Sequence, residues 1–200
     1  MKLIVIRHGK TIENDSGIIQ GRNPGTLSEE GHKQARLLGQ RLSQENIDYI
    51  YSSPSGRCKE TLTDILSQLE KHPKVTFEES LQERDFGQLT GSVLDSSYFK
   101  LLENDSEESR GLGIESVEDL YTRTKEFTDS LHKKHPGQTI ALITHSNNIR
   151  VALMFFLHKT FREILDIAKI RNCAYTICNI DAKGTSTLIA LDNINHLGWD

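Results

Sequence analysis

The sequence of 200 residues contains few cysteines, no long apolar run and no excess of basic residues. Its three cysteines are Cys58, Cys173 and Cys178. They are odd in number and lack C-x-x-C spacing, and therefore predict neither a disulfide framework nor a zinc site. A reducing, cytoplasmic setting is the expectation that follows from this cysteine usage.

Long apolar segments are also missing. No stretch approaches the roughly 18 apolar residues that a membrane span requires. Lys2 is followed by only four apolar residues before Arg7, fewer than the about 7–15 of a secretory signal. The formal net charge of −4 gives no reason to expect binding to nucleic acid. We therefore expect neither a membrane nor a nucleic acid as a partner. A homodimer is compatible with the sequence, which does not determine the oligomeric state.

What the sequence does contain is an alternation of apolar strands and amphipathic helices. "KLIVI" and "TIALIT" are apolar without polar alternation, which is typical of central strands covered on both faces. Helical patterns begin at Ser28, Arg57 and Ser116, and the second is predicted to continue to His72. This order predicts an α/β fold with a mostly parallel sheet and helices on both faces. Further strands are predicted at 47–53 and 75–79 and, near the C-terminus, in "AYTICNI" and "TLIALD".

The segment at about 91–114 interrupts this alternation. It is polar, with a short acidic stretch and a small apolar cluster. We expect a short insertion that lies over the sheet edge, within a single domain formed by residues 1–200.

Two predicted central strands lead directly to a histidine. "LIVI" is followed by Arg7 and His8, and "IALIT" is followed by His145. In open α/β sheets, ligands bind outside the carboxyl ends of the strands. The pattern therefore predicts that these three side chains share one site.

Further motifs accompany the two histidines. They are "RHGKTIEN" at 7–14, "QG" at 20–21, "SSPSGRCKET" around Arg57, "LQERDFG" around Glu83 and "THSNNIR" around His145. In their order and spacing, from residue 3 to about 151, the chain resembles the histidine phosphatase (phosphoglycerate mutase-like) superfamily. The resemblance implies a three-layer α/β/α sandwich, and we expect the insertion at about 91–114 to form a short cap over the site.

The resemblance also implies catalytic roles. His8 matches the family's nucleophile, which needs a neutral imidazole held in one tautomer. Arg7 and Arg57 match phosphate-binding arginines, whose guanidinium groups suit phosphate oxygens. His145 matches the second family histidine, which is expected to hydrogen-bond a phosphoryl oxygen as an imidazolium. Glu83 matches the proton donor that protonates the leaving oxygen.

The remaining predicted site residues bind the phosphoryl group or line its pocket; they are Asn14, Gln20, Gly21 and Ser146. Because arginines can neutralise the phosphoryl charge, the resemblance requires neither a metal nor another cofactor. The leading interpretation is a metal-independent phosphatase that acts on a small phosphorylated metabolite through a phosphohistidine.

Two other functions remain open at this point. A phosphoglycerate mutase would share the first chemical step and return the phosphoryl group to the bound product. A non-catalytic module would recognise a phosphorylated ligand without turning it over. Departures from the family pattern mean that the motifs do not identify the subfamily or, with it, the substrate. They occur at Lys10, Asn23, Thr26, Thr90 and 146–148.

Overall fold

The structure, a computed structural model, describes residues 1–95, 106–167 and 170–198. Six strands form one sheet: β1 (Lys2–Arg7), β2 (Tyr49–Ser52), β3 (Lys74–Phe77), β4 (Thr139–Thr144), β5 (Tyr175–Ile180) and β6 (Ser186–Asn193). The described ranges contain seven α-helices: α1 (Ile12–Asp15), α2 (Glu29–Leu42), α3 (Gly56–Leu66), α4 (Glu107–Gly111), α5 (Val117–Lys134), α6 (Ser146–Leu157) and α7 (Phe161–Ile167). None of these helices is both long and apolar enough to cross a membrane.

The sheet has the strand order β3-β2-β4-β1-β5-β6. Its first four strands are parallel, whereas β5 and β6 each run antiparallel to their neighbour. This confirms the predicted mostly parallel sheet and its last two strands. In the β1–β4 pair Arg7 lies opposite Thr144, and the residue after each is a histidine. The two histidines therefore leave the sheet side by side.

Alternate residues of β1 pack into two separate hydrophobic cores, one on each face of the sheet. Leu3 and Val5 pack into a cluster with residues of α5, α6 and α7. Ile4 and Ile6 point to the opposite face and pack against α2 and α3. Each fully buried side chain of this size contributes about 1.5–3 kcal/mol through removal of apolar surface from water. Helices cover both faces of the sheet, which confirms the three-layer α/β/α sandwich.

Two of the three predicted helix starts are defined by serine caps. Ser28 Oγ accepts a hydrogen bond from the Gly31 N–H at 3.1 Å at the start of α2. Ser116 Oγ accepts one from the Asp119 N–H at 2.9 Å at the start of α5. Such caps satisfy backbone donors that have no partner within the helix.

The helix predicted to reach His72 ends earlier, at Leu66. Beyond it, Gln68 N–H bonds to Ile65 O and Leu69 N–H bonds to Leu66 O. This i−3 spacing tightens the chain into turns and directs it back toward β3. The short helices α1, α4 and α7 were not predicted, because four to seven residues carry too little periodicity to identify.

The predicted insertion at about 91–114 is described only at its two flanks, since 96–105 lie outside the described residues. Val93 forms an isolated β-bridge with Ile18, and Ile114 forms one with Phe86. Leu94 lies beside Val93 and lines the cleft at the end of the sheet. The flanks therefore lie next to this cleft.

Candidate active site

A cleft of about 430 Å³ opens at the carboxyl ends of β1 and β4. Eight of the nine predicted site residues line it: Arg7, His8, Asn14, Gln20, Gly21, Arg57, Glu83 and Ser146. The ninth, His145, is fully buried behind this lining, with its ring centroid 5.3 Å from that of His8. Residues separated by up to 139 positions in the chain (7 to 146) thus converge at one edge of the sheet.

The ring of His8 is held in one tautomer by the main chain. Its Nδ1 lies 2.8 Å from the carbonyl oxygen of Gly9. A carbonyl oxygen can only accept a hydrogen bond, and therefore Nδ1 carries the proton and donates it. Nε2 is then the unprotonated nitrogen, and its lone pair is the group that can attack an electrophile.

The surroundings of His8 also keep its imidazole neutral. Burial, and secondarily the charges of Arg57 and Arg7, hold the pKa of His8 well below its ordinary value of 6.5, against a smaller opposing effect of the Gly9 carbonyl. Only 3% of the surface of His8 is exposed to solvent. The nucleophilic form is therefore the populated form at neutral pH.

Two buried polar side chains fix the segment that holds the ring. The Gly9 N–H donates to Thr61 Oγ1 at 2.9 Å, and the Lys10 N–H donates to Gln34 Oε1 at 3.1 Å. A Cβ at position 9 would lie 2.8 Å from the Gly31 carbonyl oxygen. Only glycine permits this close approach of two backbones.

Arg57, on the first turn of α3, ties the loop 21–24 to the second histidine. Its Nη2 donates to Gly21 O and to His145 Nδ1, both at 2.9 Å, and its Nη1 donates to Asn23 O at 2.6 Å. Arg7 makes a comparable bond from Nη1 to Ile170 O at 2.6 Å. The backbone therefore orients both guanidinium groups.

Both arginines retain a buried donor. Arg7 Nε and Arg57 Nε have no hydrogen-bond partner among the described residues. Burial lowers the pKa of Arg7 to about 10, and burial likewise lowers the pKa of Arg57. Both groups remain charged at neutral pH. Buried unpaired donors on two cations are groups that an anion's oxygens can satisfy.

His145 has the opposite tautomer from His8. A guanidinium can only donate, and therefore His145 Nδ1 accepts from Arg57. The proton then resides on Nε2, which donates to Ser53 Oγ at 2.9 Å. Burial, followed by the charges of Arg57 and His8, holds the pKa of His145 well below its usual value.

This neutral state differs from the imidazolium expected for His145. Among the described residues no carboxylate is hydrogen-bonded to the ring, and burial together with the nearby cations favours its neutral form. The imidazolium was expected for the ring bonded to a phosphoryl oxygen, and it stays a prediction. A phosphoryl dianion in the cleft would act in the other direction and favour the protonated form.

Glu83 follows β3 and a 3₁₀ turn at Glu79–Leu81, and it is buried at the cleft. Its Oε1 accepts from the Arg84 N–H at 2.9 Å. Its Oε2 lies 3.5 Å from Ser146 Oγ. Ser146 thus contacts the predicted proton donor in addition to lining the cleft.

Asn14 and Gln20 are both organised by Thr11. Asn14 Oδ1 accepts from the Thr11 N–H at 3.2 Å, and the Asn14 N–H donates to Thr11 Oγ1, which makes a capping box for α1. Gln20 Nε2 donates to the same hydroxyl at 2.8 Å. Gln20 Oε1 is buried without a partner in the described residues. These contacts shape the wall of the cleft.

Some residues that line the cleft were not predicted from the sequence. Arg84 is the neighbour of Glu83, and Arg150 lies one turn after Ser146 on α6, so that helical spacing could have indicated it. Phe161 and Leu165 belong to the unpredicted helix α7. They had no local signal.

Comparison with known proteins agrees with this geometry. The chain is 30% identical over 209 residues to phosphoserine phosphatase 1 of Hydrogenobacter thermophilus, covering 99% of this chain and 95% of that protein. It is 32% identical to a 2,3-bisphosphoglycerate-dependent phosphoglycerate mutase of Brucella anthropi, over 82% of this chain and 84% of the mutase.

Among solved structures, Bacillus stearothermophilus YhfR superposes with a TM-score of 0.87 over 98% of both chains at 24% identity, which shows a shared fold. The family profile described as histidine phosphatase superfamily (branch 1) matches residues 3–193. These findings confirm the predicted class of enzyme, a phosphatase of the histidine type. The chain belongs to the histidine phosphatase superfamily.

Proposed function

We propose that this protein is a metal-independent phosphatase that hydrolyses a small phosphorylated metabolite through a phosphohistidine on His8. The observation that carries the proposal is the ring of His8, whose Nδ1 is 2.8 Å from Gly9 O. This contact leaves Nε2 unprotonated in a cleft that also contains Arg7 and Arg57. A neutral nucleophile beside two fixed cations suits attack on a phosphomonoester.

In the first step, His8 Nε2 attacks phosphorus. An N–P bond forms while the bond from phosphorus to the alcohol oxygen breaks. The protonated carboxyl of Glu83 gives its proton to the departing oxygen, which would otherwise leave as a poor leaving group. Positive charge that develops on the ring is stabilised by the hydrogen bond from Nδ1 to Gly9 O.

In the second step, the carboxylate of Glu83 takes a proton from water as the water oxygen attacks phosphorus. The N–P bond breaks, its electron pair returns to Nε2, and inorganic phosphate is released. His8 is again neutral with its proton on Nδ1, and Glu83 is again protonated. The contact of Ser146 with Glu83 helps to keep this carboxyl in place.

Arginines take the electrostatic role in this proposal. Arg7 and Arg57 each have an unpartnered, buried Nε–H among the described residues and are held by backbone carbonyls through their other nitrogens. Preorganised donors need no reorganisation as charge develops on the phosphoryl oxygens. His145 adds a further group to this set, and an incoming phosphoryl dianion favours its protonation.

A mutase is the second candidate, because the relative from Brucella anthropi is a phosphoglycerate mutase. It would share the step on His8 and differ only in the acceptor of the phosphoryl group. The predicted insertion at about 91–114 comprises only about 20 residues and is polar, which favours access of water and hydrolysis. The acceptor is therefore the point to test.

The test supplies the purified protein with 3-phosphoglycerate, in the presence and absence of 2,3-bisphosphoglycerate, and with phosphoserine. Released inorganic phosphate and the 2-phosphoglycerate isomer are both measured, with EDTA present to remove divalent metals. We expect phosphate release that persists in EDTA. Efficient isomerisation with little free phosphate would establish the mutase instead, and activity lost in EDTA and restored by metal would contradict metal independence.

A further inference from the structure

The loop 170–173, which leads into β5, contacts three residues of the phosphate site. Ile170 O accepts from Arg7 Nη1 at 2.6 Å. The Cys173 N–H lies 3.2 Å from the carbonyl oxygen of His8. Asn172 contacts both His8 and Asn14. No residue of this loop was a predicted site residue.

Asn172 is the side chain that joins these contacts. Its Nδ2 donates to His8 O at 3.1 Å and to Asn14 Oδ1 at 3.3 Å. An amide nitrogen has two hydrogens, and here each has one acceptor. Rotating the amide by 180° would place its oxygen against two other oxygens, and therefore the contacts fix its orientation.

The consequence falls on Asn14. Its Oδ1 already accepts from the Thr11 N–H, and Asn172 supplies the second donor. A carbonyl oxygen has two lone pairs, and both are then used. The amide nitrogen of Asn14 is left as the end that can donate to a ligand in the cleft. Without Asn172, the Asn14 amide loses one of the two hydrogen bonds that hold it in this orientation. If the amide flipped, its oxygen instead of its nitrogen would face the phosphoryl group.

We propose that Asn172 is a positioning residue for the phosphate site, acting through the amide of Asn14 and the main chain of His8. It touches neither the substrate nor the reacting atoms. The inference rests on the proposed function, since it assumes that Asn14 donates to a phosphoryl oxygen.

The loop itself is anchored to the edge strand that pairs with β5. Arg171 bonds to Asp192 at the end of β6 through its main-chain N–H at 2.7 Å and its Nε at 2.9 Å, and through Nη2 to the Asp192 carbonyl at 2.7 Å. Ile170 and Cys173 both have φ of 53°, a strained value for non-glycine residues. A loop held in such a conformation by several bonds presents Asn172 in one place.

The experiment measures p-nitrophenyl phosphate hydrolysis and orthovanadate binding for the wild type, Asn172→Ala and the isosteric Asn172→Asp. Asn179→Ala, at an exposed position on β5, is the matched control. We expect Asn172→Ala to lower kcat/KM and vanadate affinity by about tenfold. Asn172→Asp should lose more, because a carboxylate cannot donate to either oxygen. The control should remain within about twofold.

A double-mutant cycle separates positioning from a general structural role. In an Asn14→Ala background, Asn172→Ala should cost only about threefold, because the amide through which it acts is gone. Three results would overturn the inference. Asn172→Ala could lower kcat/KM equally in both backgrounds, or by no more than Asn179→Ala does. Alternatively, both Asn172 variants could fail to fold. A wild type that neither hydrolyses the ester nor binds vanadate would instead overturn the proposed function.

Discussion

The two histidines of this site occupy equivalent positions and have opposite chemistry. His8 and His145 each follow the last residue of neighbouring parallel strands, and their ring centroids are 5.3 Å apart. His8 donates from Nδ1 to the Gly9 carbonyl, whereas His145 accepts at Nδ1 from Arg57. One ring thus presents an unprotonated Nε2, and the other presents a protonated Nε2.

The comparison teaches that position in the fold brings a residue to the site and that its contacts decide its role. Both rings are buried, and both have a pKa well below the usual value. Burial and charge therefore do not distinguish them. The difference lies in whether the partner of Nδ1 is an acceptor or a donor, which selects the nucleophile.

The largest expected effect comes from removing the nucleophile. His8→Ala should lower kcat by about 10⁴-fold or more for every substrate, since no neighbouring group replaces Nε2. His145→Ala should lower it less, by about 10²-fold, as expected for loss of one stabilising donor. Initial rates with several phosphomonoesters measure both. His72→Ala, at an exposed position, is the control, and equal losses for the two site variants would remove the distinction between the rings.

Glu83→Gln sharpens the comparison, because its effect should depend on the leaving group whereas that of His8→Ala should not. We expect a loss of about 10²–10³-fold on alkyl phosphates and a much smaller one on p-nitrophenyl phosphate, whose leaving group needs little protonation. Glu79→Gln, exposed on the same segment, serves as the control. Equal losses on both substrates would contradict the role of Glu83 as proton donor.

Arg57→Lys breaks the contact that sets the tautomer of His145. A lysine has one nitrogen and cannot reproduce the separate bonds to Gly21 O, Asn23 O and His145 Nδ1. We expect kcat/KM to fall by about 10–100-fold, with KM raised as the loop 21–24 loosens. Arg36→Lys, on the exposed surface of α2, should change nothing measurable, and retention of full activity by Arg57→Lys would contradict this account.

The smallest effect concerns stability. The folded pKa of each histidine is depressed, and therefore below about pH 6.5 the unfolded chain binds protons that the folded chain does not. The free energy of unfolding should fall as the pH is lowered from 7.5 to 5.5, by about 1.4 kcal/mol for each such histidine. Urea titrations at both pH values measure this fall in the free energy of unfolding. In His8→Asn and in His145→Asn the fall should be smaller than in the wild type by that amount, whereas in His72→Asn it should equal that of the wild type. The same fall in all four proteins would contradict the neutral buried rings.

The sequence was sufficient to predict the sheet and the convergence of residues on it. Apolar runs ending in Arg7-His8 and in His145 predicted adjacent strand ends, because parallel strands share an edge. The sequence was insufficient to predict contacts between distant segments. The carbonyl that fixes the ring of His8 belongs to its own neighbour, but Asn172 lies 164 positions away and follows no motif. Only the folded chain brings it to the site.

The same limit explains the expectation that His145 is an imidazolium. A motif identifies a histidine but not the donors and acceptors around its ring. Arg57 and Ser53 reach that ring from α3 and from the end of β2, and their contacts favour a neutral form. Tautomer and charge are properties of tertiary contacts, whereas residue identity and strand position are properties of the sequence.

The most direct test of the central claim identifies the phosphorylated nitrogen. The protein is mixed with a phosphodonor substrate, quenched in alkali to preserve phosphohistidine, and analysed by mass spectrometry and ³¹P NMR. The phosphoryl group should be on Nε2 of His8. Phosphate on Nδ1 of His8, on His145, or on no residue during demonstrated turnover would contradict the account.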